Sequence, residues 1–236
     1  MPKNLVFLLL LACGLCQCSD VHHLAEDIGR EYYPVGVGNY WIYQVSEATF
    51  TNQLLQEPAD SITYQVQERV DTVFRDQTGE LTYRVIRSRR THAGQAWSGD
   101  SVVTINKSLS DLRYTRNNLK TVKLVFPLAE HKKWNGNAFN SREPEQYYFA
   151  QVGQPFILDD STYNNTVRVV QAWNENLLKL EDRQEVYALG IGLIYKKTID
   201  LNYCNGDVGQ HCQVGQHYVV YGRRILHKLI AFGRNE

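Results

Sequence analysis

The residues best suited to chemistry in this 236-residue chain are its five cysteines, grouped as Cys13, Cys16 and Cys18 near the start and Cys204 and Cys212 near the end. The late pair encloses Asn205-Gly206-Asp207 and Gly209, and strand-like sequence lies on either side. Two thiols so placed across the end of a hairpin suit a disulfide, provided the compartment is oxidising. The alternative adds His211 and His217, giving the two thiolates and two imidazoles of a structural zinc site with ligands Cys204, His211, Cys212 and His217. That spacing matches no common zinc finger. Which reading is preferred depends on where the protein resides.

The N-terminus bears on that question. Lys3 is the only charge in the first eighteen residues, and Leu5 to Ala12 are all apolar. A positive residue, a short apolar run and then polar sequence describe a secretion signal. A transmembrane helix needs about 20 apolar residues, and this run is much shorter. The cysteines that end it point to a lipoprotein signal over residues 1–17, with Cys18 lipidated and Cys13 as the alternative. Lipidation at Cys18 leaves Cys204 and Cys212 as an even pair in the mature chain, with no orphan thiol. An exported chain meets oxidising conditions, so the sequence predicts the disulfide ahead of the zinc site and no cofactor.

Other catalytic constellations are missing from the sequence. There is no Gly-x-Ser-x-Gly elbow and no His-Glu-x-x-His pair, and the acid pairs Asp159-Asp160 and Glu143/Glu145 sit in polar segments. No catalytic residue is assigned. Gly36, Gly38, Gly190 and Gly192 lack the strand-then-helix setting of a phosphate loop. Without Lys3 the chain carries 24 basic residues against 25 acidic ones. Such a balance does not suit nucleic acid, whose affinity comes largely from excess Lys and Arg neutralising phosphates. Arg84, Arg87, Arg89, Arg90 and His92, like Arg223-Arg224 and His227-Lys228, read as solvated sheet faces.

The elements that must position these residues are strands. The chain holds 15 Tyr, 8 Phe and 4 Trp against one Met, and aromatic residues suit pleated, half-buried surfaces. Trp41, Tyr43 and Val45 alternate, as do Tyr64 and Val66, Tyr83 and Val85, and Leu124 and Phe126. Alternation at period two places each set on one face of a sheet, so Trp41, Tyr43, Tyr64, Val66, Tyr83, Val85, Leu124 and Phe126 are expected inside. Ile62 to Phe74 reads as one long bent strand, and Asp76 to Glu80 as a hairpin loop. Trp134-Asn135-Gly136-Asn137 reads as a tight turn needing positive φ, with Trp134 and Phe139 packed beneath it. A helical turn is expected at Leu24–Ile28 and a short helix within Leu177–Ala188. About ten strands with short connections predict an all-β fold: a single antiparallel sheet domain, closed or strongly curved as a barrel or sandwich. It would span residues 32–236, behind a tether over 18–31.

Tyr32-Tyr33-Pro34-Val35 through Gly38-Asn39-Tyr40-Trp41-Ile42-Tyr43 resembles the opening segment of a Bacteroidota envelope lipoprotein family. Phe126-Pro127-Leu128 with Trp134-Asn135-Gly136-Asn137, and Glu185-Val186-Tyr187-Ala188 with Gly190-Ile191-Gly192-Leu193-Ile194-Tyr195, resemble its middle segment and late strand. The resemblance implies a β-rich lipoprotein of the outer membrane, facing either side, and carries no activity or site residues with it. The expected function is non-catalytic, binding or supporting another surface component, protein or glycan. The alternative is a carrier holding a lipid or other apolar small molecule within a curved sheet, and an envelope hydrolase stands behind both.

Overall fold

A computed structural model describes residues 28–55, 58–206 and 212–235. The signal over 1–17, Cys13, Cys18, the helical turn expected from Leu24, and His211 lie outside the described residues. A short 3-10 turn, Arg30–Tyr32, leads into twelve strands. These are β1 (Asn39–Leu54), β2 (Asp60–Arg75), β3 (Leu81–Arg90), β4 (Ser98–Lys107), β5 (Asp111–Arg116) and β6 (Leu119–Val125). They continue as β7 (Lys133–Asn135), β8 (Gln146–Leu158), β9 (Ser161–Glu175), β10 (Lys179–Ala188), β11 (Gly192–Tyr203) and β12 (Tyr218–Arg234).

All twelve form one antiparallel sheet in the order β6-β5-β4-β3-β2-β1-β12-β11-β10-β9-β8-β7, nearly closed into a barrel. Its terminal strands pair in the middle of the sheet, and its seam falls between β6 and β7, which are consecutive in sequence. The seam is stitched by the Val122 amide donating to the Gly136 carbonyl at 2.9 Å. Trp134 Nε1 donates to the Val122 carbonyl at 3.0 Å, and Asn140 Nδ2 to the Lys120 carbonyl at 2.8 Å. Curling the sheet until its edges meet in this way protects strand edges that would otherwise template aggregation.

The expected interior set holds in its main lines. Trp41, Tyr43, Val66, Val85, Leu124 and Phe126 are buried in the main core, and Tyr64 and Tyr83 are half-buried against it. Val45, Val70, Val103, Phe149, Val167 and Val169 complete its dry part, all fully enclosed. The long strand at 62–74 is real, but a register shift between Val70 and Thr72 ends its single parity. Val70 is therefore buried while Phe74 is 43% exposed. The hairpin at 76–80 closes as expected. Asp76 accepts from the Thr78 amide and hydroxyl and the Glu80 amide, and Gly79 takes φ 82°, which a side chain would disfavour.

A second, smaller core uses the opposite face of the same strands. β1 pairs with β2 without a shift from Tyr40 to Thr49, so Ala48 falls on the face opposite Trp41, Tyr43 and Val45. Ala48 and Phe50 are buried there with Leu201, Tyr203 and Val219, and Leu180 packs against them. Beside this core Cys204 and Cys212 form the expected disulfide, with Cα atoms 6.2 Å apart. The bond takes both sulfurs that the alternative zinc site needs, and His217 instead packs its ring against Tyr203.

Three expectations are corrected. Leu177–Ala188 is not helical: Lys179–Ala188 is β10, paired on both sides. Its inward-facing positions include the polar Glu185, so apolar alternation was absent from a true strand. Neither Asn135 nor Gly136 has positive φ. Gly136 is small for another reason, since a Cβ there would run into the Tyr147 ring. Trp134 does pack, against Tyr147 and Phe149, but Phe139 is half exposed with Arg113 over its ring. The packed domain also begins before residue 32, because Ile28 already contacts the main core.

Candidate functional site

Beside the dry valines the barrel is not filled. A cavity of about 750 Å³ opens there, lined from both halves of the sheet. Its floor is aromatic and apolar, formed by Tyr33, Tyr43, Tyr187, Ile105, Leu112 and Leu193. Its middle carries Glu68, Arg87, Lys123, Glu185, Lys196 and His227. Arg116, Asn117, Arg142 and Arg223 line it as well and are exposed, so they stand where it meets solvent. A groove of similar volume beside Val37, Gly38 and Arg69–Asp71 is shallower in chemistry, with one ion pair between Arg69 and Asp71.

The middle layer is set by strand register. Glu185 faces Lys196 across the β10–β11 pair, and Lys196 faces His227 across β11–β12, so the three form one row on the inner face. Lys123 reaches the row from across the lumen. It sits in β6 opposite the register shift between Leu112 and Arg113, and an irregularity of this kind re-aims a side chain. Lys123 Nζ lies 2.7 Å and Lys196 Nζ 3.1 Å from Glu185 Oε1. The Tyr187 hydroxyl donates to Glu185 Oε2 at 2.6 Å. A second cluster spans β2, β3 and β5: the Tyr114 hydroxyl donates to Glu68 Oε1 at 2.8 Å, and Arg87 Nε lies 3.4 Å from the same oxygen.

Burial alone would raise the Glu185 carboxyl, but the charges of Lys123 and Lys196 and the bonds from Lys123 and Tyr187 hold it well below the usual carboxylate range. It is an ionised acceptor with three donors, unsuited to giving up a proton near neutrality. His227 moves the other way for its class. Burial pushes it down to about 3, with the positive charges of Lys196 and Arg87 adding to the effect. It is therefore neutral, and its Nδ1 is enclosed without a hydrogen-bond partner among the described residues. Burial also raises the Tyr33, Tyr43, Tyr114 and Tyr187 phenols well above their ordinary value, so all four remain hydroxyl groups.

The arrangement offers fixed charges, hydroxyls and ring faces around a space large enough for a small organic molecule. Among the described residues no group of three or more His, Cys, Asp or Glu converges as metal ligands would. Arg87, Arg223 and His227, expected on solvated faces, all line this cavity. Of their companions Arg84 pairs with Asp71, Arg89 lies over Tyr64 and Arg90 over Trp97. Glu68, Lys123, Glu185 and Lys196 belong to no local motif: they come from four strands, β2, β6, β10 and β11, and meet only in the folded sheet. The chain matches no protein-family model, no curated protein and no solved structure.

Proposed function

We propose that this chain is an envelope lipoprotein, anchored through Cys18 or else Cys13, whose barrel binds a small molecule in its polar lumen without catalysing a reaction. The observation that carries this reading is the cavity itself, a void of about 750 Å³ held open among ionised side chains. Buried charges cost stability unless they are well paired, and packed apolar residues would serve the fold as well or better. A barrel that keeps Glu185, Lys123, Lys196 and His227 inside is serving something other than its own packing. The non-catalytic part rests on Glu185 being held ionised by its donors, which removes the obvious general acid.

A wholly apolar ligand, as in the carrier expected from sequence, fits less well, because it would strip water from Arg87, Lys196 and His227 without replacing its hydrogen bonds. The anchor rests on the short apolar run, Leu5 to Ala12, followed by three cysteines. Two experiments test the two parts. Native mass spectrometry of protein extracted from its own cells should find a retained small molecule, and release of the bare chain alone would defeat the binding role. Metabolic labelling with an alkyne fatty acid should mark the wild type, with the label lost in Cys18→Ala or, failing that, in Cys13→Ala. Label retained in both would defeat the anchor.

A further inference from the structure

The lining of the lumen is unequal in charge. Arg87, Arg116, Lys123, Arg142, Lys196 and Arg223 are cationic, against only two carboxylates, Glu68 and Glu185. Six cations less two anions leave a surplus of four, since His227 is neutral. The two carboxylates are already committed: Glu68 to Arg87 and Tyr114, Glu185 to both lysines and Tyr187. None of Arg116, Arg142 and Arg223 pairs with a carboxylate among the described residues. The surplus therefore lies toward the opening, while the tyrosine floor is uncharged.

Local structure holds the opening in place. Asn117 and Asn118, at φ 51° and 60°, make the two-residue turn between β5 and β6. Positive φ at both central positions is what a tight hairpin matching strand twist requires, and Asn tolerates it. The turn fixes Arg116 at the end of β5. Arg223 stands in β12 on the same face as His227, four residues along.

Resting on the reading of the lumen as a ligand site, we infer that its ligand is an organic anion, with a phosphate or carboxylate among Arg116, Arg142 and Arg223 and an uncharged part against Tyr33, Tyr43 and Tyr187. Guanidinium groups match phosphate and carboxylate oxygens with paired donors. The volume exceeds what a bare inorganic ion would occupy, and tyrosine offers both a ring face and a hydroxyl to a sugar-like or aliphatic body. A field of one sign focused in a cleft also speeds capture of an oppositely charged ligand.

The test is calorimetric titration of the purified protein with glucose 6-phosphate beside neutral glucose, with dodecyl phosphate beside neutral dodecyl maltoside, and with inorganic phosphate. At least one organic phosphate should bind, its neutral partner being weaker by about tenfold or more. Binding of glucose 6-phosphate assigns a soluble anion, and binding of dodecyl phosphate alone assigns a lipid head group. Affinity should fall when ionic strength rises from about 0.01 M to about 0.15 M, which shortens the screening length from about 30 Å to about 8 Å. The combined Arg116→Gln, Arg142→Gln and Arg223→Gln variant should lose about tenfold or more. These side chains are exposed, so the fold should survive, as circular dichroism would check. Arg84→Gln, outside the cavity, should lose nothing. Equal affinity for the neutral partners, full affinity in the triple variant, or binding of inorganic phosphate alone would overturn the inference. A neutral molecule retained in native mass spectrometry would overturn it too while leaving the lumen a ligand site. A bare chain that takes up no probe would remove both.

Discussion

The same four strands, β1, β10, β11 and β12, build two interiors of opposite character. On their inner face Tyr43, Glu185, Lys196 and His227 line a charged cavity. On their outer face, at the far ends of the strands, Phe50, Leu180, Leu201 and Val219 form a small dry core beside a covalent cross-link. Amino-acid supply and sheet geometry are common to both. The contrast shows that this sheet can fill an interior with apolar side chains where only cohesion is required, and that the lumen departs from that solution at a cost in stability.

The strongest test of the contrast is at Glu185. Glu185→Ala leaves Lys123 and Lys196 enclosed without their counter-charge and should cost about 3–5 kcal/mol, read from the midpoint of urea unfolding. Replacing all three together, as Lys123→Met, Glu185→Leu and Lys196→Met, should return stability to near wild type or above while abolishing ligand binding. If the triple replacement is as unstable as the single one, the charges are structural and the comparison fails. In the dry core Phe50→Ala should cost a similar amount, about 3–5 kcal/mol, but with ligand affinity unchanged, measured by the same unfolding curve and a titration.

The cross-link comes next in size. Cys204→Ser with Cys212→Ser should lower stability by about 2–3 kcal/mol, the loop-closure entropy of so short a ring, and should leave the lumen's affinity intact. Loss of affinity would mean that the two interiors are not independent. The smallest effect belongs to His227. Its folded pKa of about 3 lies below its unfolded value of about 6.5. The unfolded chain therefore binds more protons between these values. Stability from keeping this group neutral is complete above about pH 6.5 and falls as the pH drops toward 3, by up to about 1.4 kcal/mol per unit. His227→Gln should flatten that slope in unfolding curves taken at pH 6 and pH 5 (about one unit apart). An unchanged slope would show that His227 is not held neutral in the lumen.

Much of the sheet could be read from alternation because a large part of the interior is dry. Trp41, Tyr43 and Val45 stand inward, with Ile42 and Gln44 between them on the other face, and the same rule found β2, β3 and β6. It failed at β10, where Glu185 and Tyr187 face inward and the outward Val186 is itself buried. A strand whose lumen side is polar inverts the pattern that identifies strands, so alternation alone does not reveal β10. The disulfide was legible from two cysteines placed across a loop between two strands. The cavity was not, for its residues come from nine strands and the loops beside them and are brought together only by the fold. Lys123 meets Glu185 across 62 positions of sequence. The glycine at 136 illustrates the same limit on a smaller scale: an Asn-Gly pair announces a turn, whereas the need here is room for a ring that arrives from β8.

The position of β12 fixes an order of events. Eleven strands can pair with a neighbour in sequence as they are made, but β1 keeps one edge open until Tyr218–Arg234 arrives to close against it. That last strand also brings Arg223 and His227. A chain delivered from its N-terminus thus carries an unpaired sixteen-residue edge through nearly the whole of its synthesis, and unpaired edges are where nascent β proteins associate wrongly. Truncation by a single terminal strand would remove one wall of the lumen and reopen that edge at once, so a shortened chain should appear in the cell as aggregate, not as a weakened binder.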